Sequence, residues 1–214
     1  SSVPAGRRST YSSAMIEASL RKSGALNIAG VDEAGRGACA GPLVVAALIL
    51  KDPESSELAN ITDSKDLTPL QREKLFDVIL EHALTHSIIV ISSDEIDEGG
   101  VHRANLEGMR RAVLGLEIAP DYVLTDGYEI SGLNAPALAV WKGDQVALTI
   151  SAASILAKVT RDRIMIELHK DFPHYGFDSH KGYITSAHTQ ALKKHGPAIV
   201  HRKSFANISS LLHK

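Results

Sequence analysis

Three apolar runs in the 214-residue chain end at a carboxylate set beside a glycine, and this recurrence restricts the fold more than any other feature. Residues 27–31 run into Asp32-Glu33-Ala34-Gly35-Arg36-Gly37, residues 122–124 into Thr125-Asp126-Gly127, and residues 137–141 into Lys142-Gly143-Asp144. Short apolar runs bounded by glycine read as buried strands. In sheets that contain parallel strands, ligand sites form at strand carboxyl ends. If these three strands are neighbours pointing the same way, four carboxylates meet at one edge.

The remaining pattern supplies the frame. Residues 42–50 are the longest apolar run; with residues 27–31 they flank a connection carrying Gly35, Gly37 and Gly41, which predicts an antiparallel pair with an irregular turn. Thr68-Pro69-Leu70-Gln71 combines a cap, a proline at the first helical position and the glutamine of a capping box. The helix it opens carries Leu70, Leu75, Val78 and Leu80 to about residue 83. Residues 87–91 form a strand, and Leu106, Met109, Val113 and Leu116 recur at helical spacing over 101–116. A helix rich in Ala and Ser covers 149–169, and a helix over 185–195 stops at Gly196-Pro197. Two strands, helix, strand, helix, two strands and then helices is an α/β order with a mixed sheet and a helical final third. The break falls near 170–180, and residues 1–24 are a polar arm or short helix.

Composition narrows the function classes. Hydrophobic residues make up 44% and charged residues 22%, the balance of a folded globular chain. No stretch approaches the ~20 apolar residues of a membrane helix. No secretory signal is visible, and the single cysteine, Cys39, allows no internal disulfide, so a cytoplasmic setting is expected. The late histidines 169, 174, 180, 188, 195 and 201 show no zinc spacing and are expected to cap, pack or meet phosphate. Absence of a G-x-x-x-x-G-K-[ST] pattern sets aside a phosphate-loop nucleotide enzyme. Net charge is only −2, but residues 52–98 carry 12 acidic and 3 basic groups, and residues 158–203 carry 9 basic and 4 acidic. Such asymmetry marks two differently solvated faces, or a nucleic-acid footprint if the basic segment borders a chemical site.

Four carboxylates cannot crowd together unscreened, because like charges raise each other's pKa. Hard cations such as Mg²⁺ or Mn²⁺, which prefer oxygen ligands, remove the conflict. Two such ions about 4 Å apart can activate a water and stabilise a leaving oxygen in phosphodiester cleavage. The alternative is that each carboxylate is a turn residue, since Asp beside Gly is common in turns. Adjacent strand side chains point to opposite faces, so for Asp32 and Glu33 to address one site the strand must break, or Glu33 must offer a backbone oxygen. Gly35-Arg36-Gly37 is either a tight turn or a loop whose amides hold polar oxygens, with Arg36 in reach of a phosphate. Ala152, Ala153 and Ala157 suit close packing. Arg161 and Asp162 read as a surface or bridging ion pair, worth little if exposed; Ser64, Lys65, Lys158 and Tyr183 are each either ordinary surface or packing residues or contacts to a nucleic acid.

Taken in order, DEAGRG at 32–37, DSK at 63–65, DG at 126–127, KGD at 142–144, SAASILAKVTRD at 151–162, HKGY at 180–183 and HRKSF at 201–205 resemble the ribonuclease HII family from about residue 28 to residue 205. The resemblance implies a ribonuclease H-like mixed five-stranded sheet flanked by helices, with a helical C-terminal extension. Residues 1–25 would be an N-terminal arm, 26–172 the catalytic domain and 173–214 the extension that binds substrate. It implies Asp32, Glu33, Asp126 and Asp144 as catalytic ligands of two divalent ions, Mn²⁺ or Mg²⁺. Gly35, Arg36 and Gly37 would read the ribose 2′-OH and adjacent phosphate, and Ser64, Lys65 and Lys158 would lie near phosphates. Tyr183 would stack on the sugar of the following deoxynucleotide. The implied substrates are RNA–DNA hybrid and duplex DNA carrying ribonucleotides, cut 5′ of a ribonucleotide to leave a 3′-OH and a 5′-phosphate. A monomer is expected. Three positions depart from the family pattern: Asp66 where a second lysine is frequent, and Gly108 and Ser151 where alanine is usual. Gly108 is expected to weaken its helix by ~1 kcal/mol.

Overall fold

The protein is described by a computed structural model covering residues 15–59, 61 and 67–213. Its strands are β1 (Ile28–Ala34), β2 (Leu43–Leu50), β3 (Ala83–Ile91), β4 (Tyr122–Asp126) and β5 (Ala137–Val140). Its helices are α1 (Met15–Lys22), α2 (Pro69–His82), α3 (Ser93–Gly99), α4 (Val101–Leu114), α5 (Gly143–Val146), α6 (Leu148–Asp171), α7 (Phe177–His180), α8 (Ser186–His195) and α9 (Ala206–Leu212). The strands form one sheet in the order β3-β2-β1-β4-β5. β1 is antiparallel to β2 and β2 to β3, whereas β1, β4 and β5 are parallel neighbours. The three strands expected to deliver carboxylates therefore share one direction and one edge.

The sheet is covered on both faces, which is why β2 reads as an unbroken apolar run. All eight of its residues are buried. Leu43, Val45, Ala47 and Ile49 face α3 and α4 through Ile96, Met109, Ala112 and Val113. Val44, Ala46, Leu48 and Leu50 face α2 and α6 through Phe76, Ile79, Ala152, Ile155 and Leu156. Burying each large aliphatic side chain contributes about 1.5–3 kcal/mol. The alanines of α6 let its axis lie close to the sheet.

The capping box is present: Thr68 N–H donates to Gln71 Oε1 at 2.8 Å and Gln71 N–H to Thr68 Oγ1 at 3.2 Å, with Pro69 in the first turn. The helix it starts buries Phe76 and Ile79, whereas Leu70, expected on the apolar face, is exposed. β3 begins at Ala83 directly after α2, four residues earlier than the sequence predicts. α3 and α9 escape a periodicity reading because each has only seven residues. Gly108 is not a defect of α4: a Cβ there would sit 2.6 Å from Ile91 Cδ1 and 2.9 Å from Val45 Cγ2, so the glycine is what lets the helix approach the sheet.

Residues 15–22 form a helix that docks rather than hangs. Ile16 and Leu20 pack on a cluster of Ile28, Leu124, Val140, Ala147 and Ile150. Glu17 is buried and accepts from Thr149 N–H at 2.8 Å and from Thr149 Oγ1–H at 2.5 Å. α6 has no side-chain cap of its own, so this carboxylate satisfies a first-turn amide at the positive end of the helix dipole. After α6 a third cluster gathers Cys39, Ala40, Met165, Tyr175, Phe177, Leu192 and Ile208, packing α7, α8 and α9 against the loop between β1 and β2. Among the described residues no helix is long and apolar enough to cross a membrane.

Candidate active site

The carboxyl ends of β1, β4 and the turn after β5 bring Glu33, Asp126 and Asp144 to one cleft of about 530 Å³, lined also by Gly127, Tyr128, Trp141 and Lys142. Asp32 adjoins it, and burial, then repulsion from Glu33 and Asp126, holds its carboxyl well above the usual aspartate range. The Glu33 carboxyl is likewise raised, first by burial and then by Asp126, against the lowering effects of a hydrogen bond with Asp32 and of the nearby Arg36. Glu33 Oε2 is buried with no hydrogen-bond partner.

Of the two alternatives for Asp32 and Glu33, a break in β1 does not occur. β1 stays in register with β2 through Glu33↔Val45 and Ala34↔Val44, but its ladder with β4 ends at Val31↔Thr125. Beyond that point Asp32 and Glu33 have no ladder partner in β4, and both carboxyls feel the charge of Asp126. Asp32 also folds back, with Oδ1 accepting from Glu33 N–H at 2.8 Å.

Asp126 and Asp144 are tied together through the backbone. Asp126 Oδ1 accepts from Gly143 N–H at 2.7 Å, and Lys142, at the turn, holds a left-handed φ of 52°. Asp144 is buried in the first turn of α5, so it sits on a helix rather than at a strand end. The hydroxyl of Ser151 donates to the Asp144 carbonyl and to Ala147 O, anchoring that turn to α6. Ser151, a departure from the family pattern, thus has a local purpose that its sequence position alone does not reveal.

The donor set is all oxygen, and its burial and mutual repulsion suit a hard divalent cation. Among the described residues no three His, Cys, Asp or Glu side chains are already arranged to hold a metal ion.

Beside the carboxylates lies the glycine loop, and its support comes from two buried arginines. Arg161, expected in a surface or bridging pair with Asp162, is buried and turns its donors to main-chain carbonyls. Its Nε donates to Pro42 O at 2.8 Å, Nη1 to Lys181 O at 2.7 Å and Nη2 to Ala40 O at 3.0 Å. Arg202 donates from Nε to Gly41 O at 3.1 Å, from Nη1 to Arg36 O at 3.1 Å and from Nη2 to Gly35 O at 2.7 Å. Burial lowers the pKa of both guanidinium groups, and Arg161 adds to the shift of Arg202. Gly35 adopts φ +87°, and a Cβ there would fall 1.9 Å from Arg161 Nε, so both conformation and space require glycine. The carbonyls of Gly35 and Arg36 are held by Arg202, and the amides of Arg36 and Gly37 make no hydrogen bond among the described residues. The Arg36 guanidinium lies 5.1 Å from the centroid of the Tyr128 ring.

Tyr183 is joined to the same support. Cys39 N–H donates to Gly182 O at 3.0 Å, and Arg161 lies 5.4 Å from the Tyr183 ring centroid. Beneath it three histidines are fixed by their hydrogen bonds. Ala198 N–H donates to His201 Nδ1 at 2.9 Å, so that nitrogen carries no proton. His201 Nε2–H then donates to His188 Nε2 at 2.9 Å, and His188 Nδ1–H to Tyr183 O at 2.9 Å. Gly182 N–H donates to His180 Nδ1 at 3.1 Å, and the His180 ring stacks on His188 with centroids 4.3 Å apart. The chain needs His188 and His201 neutral. Burial pushes both pKa values down, that of His201 to about 4. These histidines pack and cap, as the lack of zinc spacing predicts.

Of the remaining expected residues, Lys158 stands on α6, half-exposed, with Nζ 3.5 Å from Asp162 Oδ2. Ser64 and Lys65 lie outside the described residues. Arg161, Arg202, His188 and His201 were not expected as site residues, because their partners are main-chain carbonyls or one another, which leave no local sequence signature.

The family model described as ribonuclease HII matches residues 29–208. A ribonuclease HII from Saccharopolyspora erythraea is 58% identical over 193 residues, covering 90% of this chain and 85% of the relative. Among solved structures, ribonuclease H2 from Pyrococcus horikoshii OT3 superposes with a TM-score of 0.77 at 29% identity, covering 88% of this chain and 98% of that one. A Bst-RNase HIII in complex with Mn²⁺ shares the fold at 18% identity and a TM-score of 0.67, covering 90% of this chain and 71% of that one.

Proposed function

The chain belongs to the ribonuclease HII family, and is with it a type 2 ribonuclease H that acts on RNA–DNA hybrids; from that premise we propose that it also cuts duplex DNA 5′ of a single embedded ribonucleotide, with Asp32, Glu33, Asp126 and Asp144 holding two divalent cations. The observation that carries this reading is the convergence of the ends of β1 and β4 and the first turn of α5 on one cleft, where Glu33 Oε2 is buried without a partner and the carboxyls of Asp32 and Glu33 are raised by burial and by Asp126. When bound, Mg²⁺ or Mn²⁺ supplies activation of the attacking water and neutralises charge at the scissile phosphate.

The chain's own residues do the rest. The hydrolysis adds a water oxygen to phosphorus and breaks the P–O3′ bond, so the upstream strand ends in a 3′-OH and the ribonucleotide keeps the 5′-phosphate. The Arg36 and Gly37 amides, in a loop whose Gly35 and Arg36 carbonyls are held by Arg202, offer donors to the 2′-OH and the adjacent phosphate. A 2′-OH contact is what separates RNA from DNA at one site. Tyr183, exposed above its histidine base, stacks on the next deoxyribose. Lys158, with Ser64 and Lys65, contacts phosphates. Residues 26–172 carry the chemistry, residues 173–214 support the substrate-reading elements, and residues 1–25 act as an arm whose helix caps α6.

Duplex DNA carrying one ribonucleotide, incubated with and without Mg²⁺ or Mn²⁺ and mapped at nucleotide resolution, tests this. A metal-dependent cut immediately 5′ of the ribonucleotide, leaving a 3′-OH, is expected. Cleavage of hybrid but not of this duplex, or equal cleavage of an all-DNA junction, would overturn the reading.

A further inference from the structure

Trp141 is the chain's sole tryptophan and is 81% exposed, yet it stands on the wall of the carboxylate cleft rather than on open surface. An isolated exposed apolar residue needs no explanation. Three observations separate this one. It shares the cleft with Glu33, Asp126 and Asp144, and the cleft holds a second ring, Tyr128, under the Arg36 guanidinium. The next residue, Lys142, adopts a left-handed backbone that non-glycine residues adopt only at an energetic cost, and such strain concentrates where a side chain must be aimed. That turn is held by Gly143 N–H bonding Asp126, so the ring and the carboxylates are fixed by one piece of backbone.

Sheet order sets the distance scale. β4 lies between β1 and β5, so the β5 end stands two strand spacings, roughly 10 Å, from the β1 end and its glycine loop. Tyr183 joins the β1–β2 loop on one side of the carboxylates, and Trp141 follows β5 on the other. Aromatic rings interleaved with cationic side chains along a groove are how proteins hold nucleic-acid strands, each ring stacking on a base or sugar and each cation meeting the backbone.

We propose that Trp141 is a substrate-stacking residue that holds the nucleotide flanking the scissile phosphate on the β5 side, with Lys142 meeting the adjacent backbone phosphate. This rests on the proposed nuclease reading. It makes Trp141 an affinity determinant: the ring binds ground state and transition state alike, so its loss raises KM and leaves kcat little altered.

The sole indole makes the test direct. The Asp126→Asn protein with Mg²⁺ is titrated with end-labelled RNA–DNA hybrid, and label anisotropy and tryptophan emission are followed in the same cuvette. Saturable emission change tracking the anisotropy curve is expected. In the otherwise unchanged protein, Trp141→Ala should raise KM about tenfold with an unaltered melting temperature, and Trp141→Phe should restore most of the affinity. Binding by anisotropy with constant emission, or an unchanged KM in Trp141→Ala, overturns the proposal while leaving the nuclease reading intact. Failure to bind hybrid at all overturns that reading and this proposal with it.

Discussion

Two regions of the molecule bury charged or titratable groups, and they do so on opposite terms. At the carboxylate edge, like charges face one another and a buried glutamate oxygen lacks a partner. A few residues away, Arg161 and Arg202 place all the donors named above on carbonyls, and His201 and His188 pass hydrogen bonds in one direction to Tyr183 O. Burial and like-charge repulsion are common to both, since Arg161 also lowers the pKa of Arg202; in the arginine region hydrogen bonds to carbonyls offset them, whereas at the carboxylate edge Glu33 Oε2 has no partner. The satisfied region is a scaffold, and the conflicted one is a site that gains when cations arrive.

The largest expected effect tests the conflicted side. Asp126→Asn should slow hybrid cleavage about 100- to 1000-fold, the scale on which loss of one charge-stabilising group at a reacting centre falls, without lowering the melting temperature. Single-turnover kinetics and a melting curve check it; normal turnover would place the chemistry elsewhere. The scaffold should respond in stability instead. Arg202→Ala leaves the carbonyls of Gly35, Arg36 and Gly41 without this donor and should destabilise by about 3 kcal/mol or more, read from denaturant unfolding. A loss below ~1 kcal/mol would mean that water replaces the guanidinium without penalty.

The histidines give the comparison a pH dependence. His201 has a folded pKa of about 4, below its unfolded value near 6.5, so between these values the unfolded chain binds more protons. Stability is therefore full above about pH 6.5 and falls as pH drops toward 4, by about 3 kcal/mol if His201 titrates alone. Urea unfolding at pH 7 and pH 4.5 measures this; equal midpoints would show that the pair accepts a proton in place. The smallest effect belongs to Ser151→Ala, which removes one hydroxyl from the Asp144 turn and should cost about 1 kcal/mol, with a modest drop in cleavage rate. An unchanged protein would show that α6 holds the turn by packing alone.

The two regions also differ in how far they could be read from sequence. Asp32, Glu33, Asp126 and Asp144 each follow a short apolar run beside glycine, and the condition for their meeting, that β1, β4 and β5 be parallel neighbours, is fulfilled. The capping box at Thr68 and Gln71 was equally legible, because both partners lie within one turn. The arginine and histidine scaffold was not. Arg161 beside Asp162 looks like a surface pair, yet its partners are main-chain oxygens of residues 40, 42 and 181. Carbonyls are the same in every residue, so no side-chain pattern announces such a contact. Glu17 was hidden for the same reason, its acceptor role being set by a helix end 132 residues away. The continuity of β1 is likewise silent in sequence, because the point where its ladder with β4 ends depends on the partner strand.

Stability as a function of divalent cation tests most directly whether the carboxylate edge is held in conflict for cations to resolve. Melting curves of the unaltered protein and of Asp32→Asn are recorded in chelator and then across a Mn²⁺ titration. The account predicts that Asp32→Asn melts higher in chelator, because one repelling charge is gone, and that Mn²⁺ raises the unaltered protein markedly more than the variant. Equal melting temperatures in chelator together with equal gains from Mn²⁺ would contradict it.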